Sequence, residues 1–355
     1  MPGSTDSSAE PARRPAWHWG KQGSTPVANA SKSLARRRRS LVCAVEVVRT
    51  SQGYVQLEAG APTTSAPALD AQPSARRPAG LPPDAVVTAQ AGAENFPVAS
   101  RVLPRRVRGH LLALYGFARL VDDVGDEAPG DRLALLDWLD AELDRVYAGA
   151  PTLPITARLA ATVRQCDLPP EPLRALIAAN RQDQQVAHYE TIDDLLAYCE
   201  LSANPVGRLV LAVLGAATPE RVRLSDAICT GLQLTEHWQD VAEDLERGRL
   251  YIPLADLGRF GCEPDDLRRR PATAAVRALL AYEVERAREF LDAGAPLVRA
   301  LRGRPALAVA GFVAGGRAAL QAIGRAGYDV SGGPPRASRA TYARALAATL
   351  AGRRA

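Results

Sequence analysis

LYGFARLVDDVGDE, residues 114–127, decides the fold of this chain. Leu114, Tyr115, Ala118 and Val121 recur every three or four residues, which is the period of one helix face. The same helix then runs into Asp122-Asp123-Val124-Gly125-Asp126-Glu127. Asp122 and Asp126 therefore share a face, about 6 Å apart along the axis. Two carboxylates so placed repel each other unless cations lie between them. An oxygen-only ligand set on an open helix face suits Mg²⁺, which keeps waters and binds a few carboxylates plus substrate phosphates. A second stretch repeats the design: ICTGLQLTEHW (228–238) is apolar and helical, and Asp240-Val241-Ala242-Glu243-Asp244 follows it. A lone D-x-x-x-D is most often a solvated helix end. Two of them, each closing a long apolar helix, point instead to a pair that faces across a bundle. There they would rim an apolar tunnel with metal at its mouth, the arrangement needed to pull a diphosphate off a long hydrocarbon.

Working outward, the helical period continues almost throughout from Glu94, with no alternating strand segments and no hairpin signals. Pro104 precedes the helix through Leu111 and Leu114. Asp131 to Tyr147 carries a stripe of Leu133, Leu136, Leu139, Leu143 and Val146. Thr191 and Asp194 have the spacing of a capping box ahead of Leu195, Leu196 and Cys199. Thr218-Pro219 is an N-cap followed by proline at the first helical position. The spacing predicts one helix of about 30 residues from there, stopping before Gly248. Two or three further helices fill 272–351, giving a large all-α bundle without internal repeats.

The 355 residues carry a formal charge of +5, and its location matters. Residues 1–85 hold 11 Lys and Arg against 6 Asp and Glu, while 86–355 hold 33 of each sign. The body therefore exerts no general pull on polyanions, and nucleic acid is excluded as a partner. Residues 1–85 are rich in Ser, Ala, Pro, Gly and Arg and cannot bury enough apolar surface to order, so a disordered leader is expected. Met1 is the only methionine, which makes that leader a candidate gene-start artefact; 86–355 is expected to be one domain. Arg36 to Arg39 ahead of Leu41-Val42-Cys43-Ala44-Val45 imitates a signal peptide, but Glu46 interrupts it. No apolar run reaches the ~18–20 residues of a membrane span, Ala306 to Gly315 being too short. Five scattered cysteines without a C-x-x-C pair, and four histidines without H-x-x-x-H, support no zinc site or disulfide framework. A cytoplasmic location is expected.

Near the acidic clusters, Arg119 is placed to hold diphosphate or to pair along its own helix. Arg247, Arg249 and Tyr251 are placed to close over a phosphate, or to complement a helix C-terminus.

ENFPVASRVLP (94–104), LYGFARLVDDVGDE (114–127), YCELSANPVGRLV (198–210) and QLTEHWQDVAEDLERGRLYIP (233–253) resemble, in order and spacing, the four hallmark blocks of the squalene/phytoene synthase family. The resemblance covers about residues 90–330. It implies the class I terpenoid (isoprenoid) synthase α-bundle with a central apolar cavity. It implies Asp122, Asp126, Asp240 and Asp244 as ligands of Mg²⁺, about three ions in all. Arg119, Arg249 and Tyr251 would match diphosphate-side residues. Tyr115, Phe96, Asp183, Ala203, Gly207 and Gln233 would match the pocket. ENFPVAS, S-A-N-P-V-G and W-Q-D-V-A-x-D are most similar to the HpnC-type branch, the hydroxysqualene synthases, which convert presqualene diphosphate to hydroxysqualene in hopanoid pathways. Glu236 departs from the family, standing where Asn is usual, and His188 stands where Arg is common.

The implied chemistry is loss of diphosphate and capture of the resulting cation by one water, with Asn204 and Ser202 as candidates for positioning it. No strand–GxGxxG–helix unit is present, so neither NADPH nor FAD is expected. The alternatives are a head-to-head prenyl transferase making presqualene diphosphate, squalene or phytoene from farnesyl or geranylgeranyl diphosphate, and an inactive helical scaffold that binds prenyl lipids. Expected partners are the prenyl diphosphate, the membrane surface at which such lipids partition, and enzymes of the same pathway.

Overall fold

The structure, a computed structural model, describes residues 77–83 and 102–352. The rest of the predicted leader and Phe96 lie outside the described residues. Leu81 is buried in the same apolar cluster as Leu135.

Every long element among the described residues is an α-helix, as the periodicity predicts. Helix α1 spans Arg105–Asp126, α2 Arg132–Ala148, α3 Pro154–Cys166 and α4 Glu171–Gln182. Then come α5 (Ile192–Ser202), α6 (Asn204–Val213), α7 (Pro219–Gln239) and the short α8 (Val241–Glu246) and α9 (Leu254–Arg259). A 3-10 turn precedes α10 (Ala274–Gly294), α11 (Leu297–Ala300), α12 (Gly303–Arg325) and α13 (Arg339–Leu350). No strand occurs among the described residues; a bridge pairs His188 with Leu250.

The local signals act as their chemistry requires. The Asp131 side chain accepts from the Ala134 amide and starts α2. Thr191 and Asp194 close a capping box on α5. Thr218 accepts from the Arg221 amide ahead of Pro219. Two expectations change. Leu133 leaves the α2 stripe and is exposed, while Leu135 is buried in its place, because the buried face of α2 is wider than one residue per turn. The single long helix predicted from Thr218 is also broken. At Asp240 the backbone takes φ −102° and ψ 12°, separating α7 from α8. The i+4 bonds nevertheless continue on both sides, Asp240 N to Glu236 O at 3.0 Å and Asp244 N to Asp240 O at 2.9 Å. The predicted stop at Gly248 holds, in the left-handed region at φ 75°.

Two large apolar clusters make up most of the core among the described residues. One is built mainly by α1 to α4, with Phe117, Leu120, Leu136, Leu139, Leu159 and Ile177 fully enclosed. The other is built mainly by α5 to α7, α10 and α12, around Leu195, Leu234, Trp238, Leu279, Leu291 and Leu320. Helix α6 packs against both α1 and α7 and so joins the two halves. Helix α12 corrects the membrane-span reading, since it is long and apolar enough to cross a bilayer. It serves instead as a core helix, with 72% of its most apolar stretch buried inside the protein.

Candidate active site

A single face of α1 changes character along its length. Leu111, Leu114, Tyr115 and Ala118 line an apolar cavity, and one turn further on Asp122 and Asp126 line an acidic pocket. Helix α7 repeats the change. Ser225, Ile228, Cys229 and Leu232 line the cavity, then Gln233, Glu236, His237 and Asp240 line the pocket, followed by Asp244 from α8. The period of three and four residues keeps each series on one face. Both helices turn acidic toward the same pocket. Ala118, Leu176 and Val206 line both spaces, so the acidic pocket and the apolar cavity meet there. The cavity holds about 930 Å³ of empty space, part of it open to solvent.

Side chains from other helices hold the acids in place. A Cβ on Gly125 would overlap the Asn180 side chain, so this glycine is what lets α4 approach α1. Asn180 Nδ2 then donates to Asp122 Oδ1 at 3.2 Å and to its own helix at Leu176 O. Arg249 reaches Asp126 Oδ1 and Asp183 Oδ2, both at 3.4 Å. Burial works against the Arg249 charge, but Tyr251, Asp183 and Asp126 outweigh it and hold the guanidinium protonated more firmly than usual. Tyr198 donates to Asp183 Oδ2 at 2.9 Å. Burial, then the neighbouring Asp183 charge, push the Tyr198 hydroxyl well above its ordinary pKa, so it acts as a donor. Tyr251 stacks on His237, ring centroids 3.8 Å apart. Gln233 Nε2 and His237 Nε2 lie 3.1 Å apart.

Six carboxylates line this pocket: Asp122, Asp126, Asp183, Glu236, Asp240 and Asp244. Arg247 is the cation in the lining, and Arg249 bridges two of the acids. The balance is strongly negative, and oxygen is the donor that nearly all these side chains offer, which fits a hard divalent cation. Among the described residues, no three His, Cys, Asp or Glu side chains sit close enough to hold a metal alone. These residues would therefore fit Mg²⁺ only together with oxygens from outside the protein, such as substrate phosphates.

Most of the predicted residues converge. Asp122, Asp126, Asp240, Asp244, Asp183, Gln233 and Tyr251 line the acidic pocket, with Ser202 beside them. Tyr115 and Gly207 line the apolar cavity. Three do not join them. Arg119 is buried and pairs with Asp123 at 2.7 Å, and it lines neither space. Asn204 is 2% exposed; it donates to Glu200 Oε1 at 2.9 Å and accepts from Thr230 Oγ1 at 3.0 Å. It ties α5, α6 and α7 together and is outside the pocket lining. Ala203 is the fully buried joint between α5 and α6. His188 is exposed, and its backbone bridge helps seat Leu250 in the segment that carries Arg249 and Tyr251. The sequence reading passed over Asn180, Tyr198 and His237. His237 was accessible, because it lies four residues from Gln233 on the acidic face. Asn180 and Tyr198 come from other helices and have no local signal.

The family model described as squalene/phytoene synthase matches residues 89–343. The chain is 35% identical over 213 residues to a hydroxysqualene synthase of Rhodopseudomonas palustris, covering 59% of this chain and 72% of that one. It is 33% identical over 219 residues to a phytoene synthase of Arthrospira platensis, covering 58% and 71%. The crystal structure of squalene synthase HpnC from Alicyclobacillus acidocaldarius superposes with a TM-score of 0.65 at 46% identity, over 69% of this chain and 95% of that one. A dehydrosqualene synthase in complex with ligand shares the fold, with a TM-score of 0.69 at 23% identity, over 76% and 95%.

Proposed function

The chain belongs to the squalene/phytoene synthase family of enzymes, with the class I terpenoid synthase fold, and we propose that it converts presqualene diphosphate to hydroxysqualene with release of diphosphate. The observation that carries this reading is the change from apolar to acidic along one face of both α1 and α7. A molecule with a hydrocarbon body and a diphosphate head fits that change end to end.

In this reading Asp122, Asp126, Asp240 and Asp244 hold Mg²⁺ together with the substrate diphosphate. When bound, Mg²⁺ supplies Lewis-acid charge that stabilises the departing diphosphate. Arg247, which makes no ion pair among the described residues, donates to diphosphate oxygens at the same rim. Arg249 keeps Asp126 and Asp183 in register. Once the diphosphate leaves, the cation sits where the cavity wall is apolar and water is scarce, which limits premature quenching. The ring of Tyr115 faces that space and stabilises positive charge by about 0.5–2 kcal/mol. Substrate and product partition into lipid, so the proposal includes peripheral contact with a membrane. Neither NADPH nor FAD takes part.

The test offers purified protein Mg²⁺ without NADPH, with presqualene diphosphate and farnesyl diphosphate in separate reactions read by mass spectrometry. Hydroxysqualene from the former is the expected result. The similarity to phytoene synthases favours one second reading, head-to-head prenyl transfer from farnesyl or geranylgeranyl diphosphate. Turnover of those substrates instead would select it. Inertness toward all three would leave a lipid-binding scaffold.

A further inference from the structure

An alcohol product needs one water delivered to a carbocation inside a cavity that otherwise excludes water. Asn204 is not available for this, since both ends of its amide are taken by Glu200 and Thr230. Ser202 lines the pocket, but its hydroxyl donates to Tyr198 O at 3.1 Å.

Gln233 stands differently. It is 4% exposed and lines the acidic pocket, while its neighbour Leu232 lines the apolar cavity. It therefore sits where the reacting carbon must lie if the diphosphate is among the aspartates and the chain is in the cavity. Its amide nitrogen is held by His237 Nε2 at 3.1 Å. His237 is in turn held by its stacking on Tyr251. The other end of the amide, Oε1, is buried with no hydrogen-bond partner among the described residues. A buried carbonyl oxygen left without a donor is costly, and a bound water removes that cost.

We propose that Gln233 Oε1 positions the water that captures the cation, with His237 as the positioning residue that fixes the amide. This inference rests on the hydroxysqualene reading. The C–O bond to diphosphate breaks first, and both electrons leave with the diphosphate oxygen. The water, one hydrogen on Gln233 Oε1, gives a lone pair to the cationic carbon and forms the new C–O bond. The proton it then sheds passes to the released diphosphate, so presqualene diphosphate and water yield alcohol and diphosphate with nothing left over. Gln233 accepts a hydrogen bond throughout and is neither charged nor consumed.

The experiment compares the products of the full chain and its Gln233→Met and His237→Phe variants, with Mg²⁺ and presqualene diphosphate, in water enriched in ¹⁸O. Methionine keeps the volume and removes the acceptor; phenylalanine keeps the ring on Tyr251 and releases the amide. The wild type is expected to give ¹⁸O-labelled alcohol. In Gln233→Met the ratio of alcohol to hydrocarbon products should fall roughly ten-fold, as for one hydrogen bond lost at the transition state. His237→Phe should fall less. An unchanged product ratio in Gln233→Met overturns the inference. Should that variant misfold, as a melting curve would reveal, His237→Phe carries the test alone, and an unchanged ratio there overturns it. A wild type that makes no alcohol instead overturns the functional reading on which the inference rests.

Discussion

Arg119 and Arg249 both lie close to aspartate motifs, yet they do different work. Arg119 is enclosed with Asp123 inside α1, and a buried charge there must keep its partner. Arg249 reaches across to two acids on other segments and stands beside the pocket. Spacing along the chain cannot separate these cases, because an arginine three residues from one aspartate and four from the next can reach either. Glu283 is a third ionisable side chain away from the solvent, far from the aspartates in sequence. It is fully enclosed, with Arg286 Nη1 at 2.7 Å from its Oε2 and at 2.8 Å from Asp256 Oδ2. Burial, opposed by Arg286 and reinforced by Asp256, raises its carboxyl from 4.5 to about 8. A carboxyl raised on folding binds its proton more tightly in the native state than in the unfolded chain. Its stabilising contribution is therefore complete below pH 4.5 and is lost as pH rises toward 8. Denaturant unfolding at pH 5, 6.5 and 8 should show wild type losing roughly 1–3 kcal/mol more than Glu283→Gln over that span. Equal slopes in the two proteins would refute this origin.

At the scale of elements, the helices and their starts were readable because caps and periodicity are local. The N-caps at Asp131, Thr191 and Thr218 need only the next three residues. How closely two helices approach is not local. Gly294 of α10 lies against α7 so tightly that an added Cβ would come within 2.6 Å of the Leu224 carbonyl oxygen and 2.5 Å of Ile228 Cγ1. Gly231 of α7 lies nearly as close to Leu291 of α10, where an added Cβ would come within 2.9 Å of the Leu291 backbone nitrogen. Backbone cannot yield as a side-chain tip can, so Gly294→Ala should cost about 1–3 kcal/mol by overpacking. Gly109→Ala on α1, where a Cβ meets nothing within 4 Å, should instead gain up to about 1 kcal/mol. Melting curves of the two variants check both signs, and a neutral Gly294→Ala would mean that α7 and α10 can move apart freely. The break between α7 and α8 belongs to this scale too. It leaves the hydrogen-bond ladder intact, so no proline or glycine marks Asp240 as its place.

At the scale of the whole molecule, the site lies where helices of the two core clusters converge on an excess of carboxylates. In the proposed function, metal and diphosphate complete each other there, so neither binds well alone. Mg²⁺ with inorganic diphosphate should therefore raise the melting temperature by more than the two separate shifts together. At ligand concentrations near a hundred times Kd the gain would be about 2.7 kcal/mol, a shift of several degrees. Asp240→Asn should abolish the extra shift, and additive shifts in wild type would argue against a joint site. The sequence alone determined the all-α class, several helix starts, both aspartate motifs and the family, because each is written in residues a few positions apart. Only the tertiary structure decided that Arg119 and Asn204 face inward, that Asn180, Tyr198 and His237 join the pocket, and that Gln233 ends in an oxygen unmet among the described residues. Those facts depend on which faces of separate helices meet, and side-chain packing between distant segments sets that.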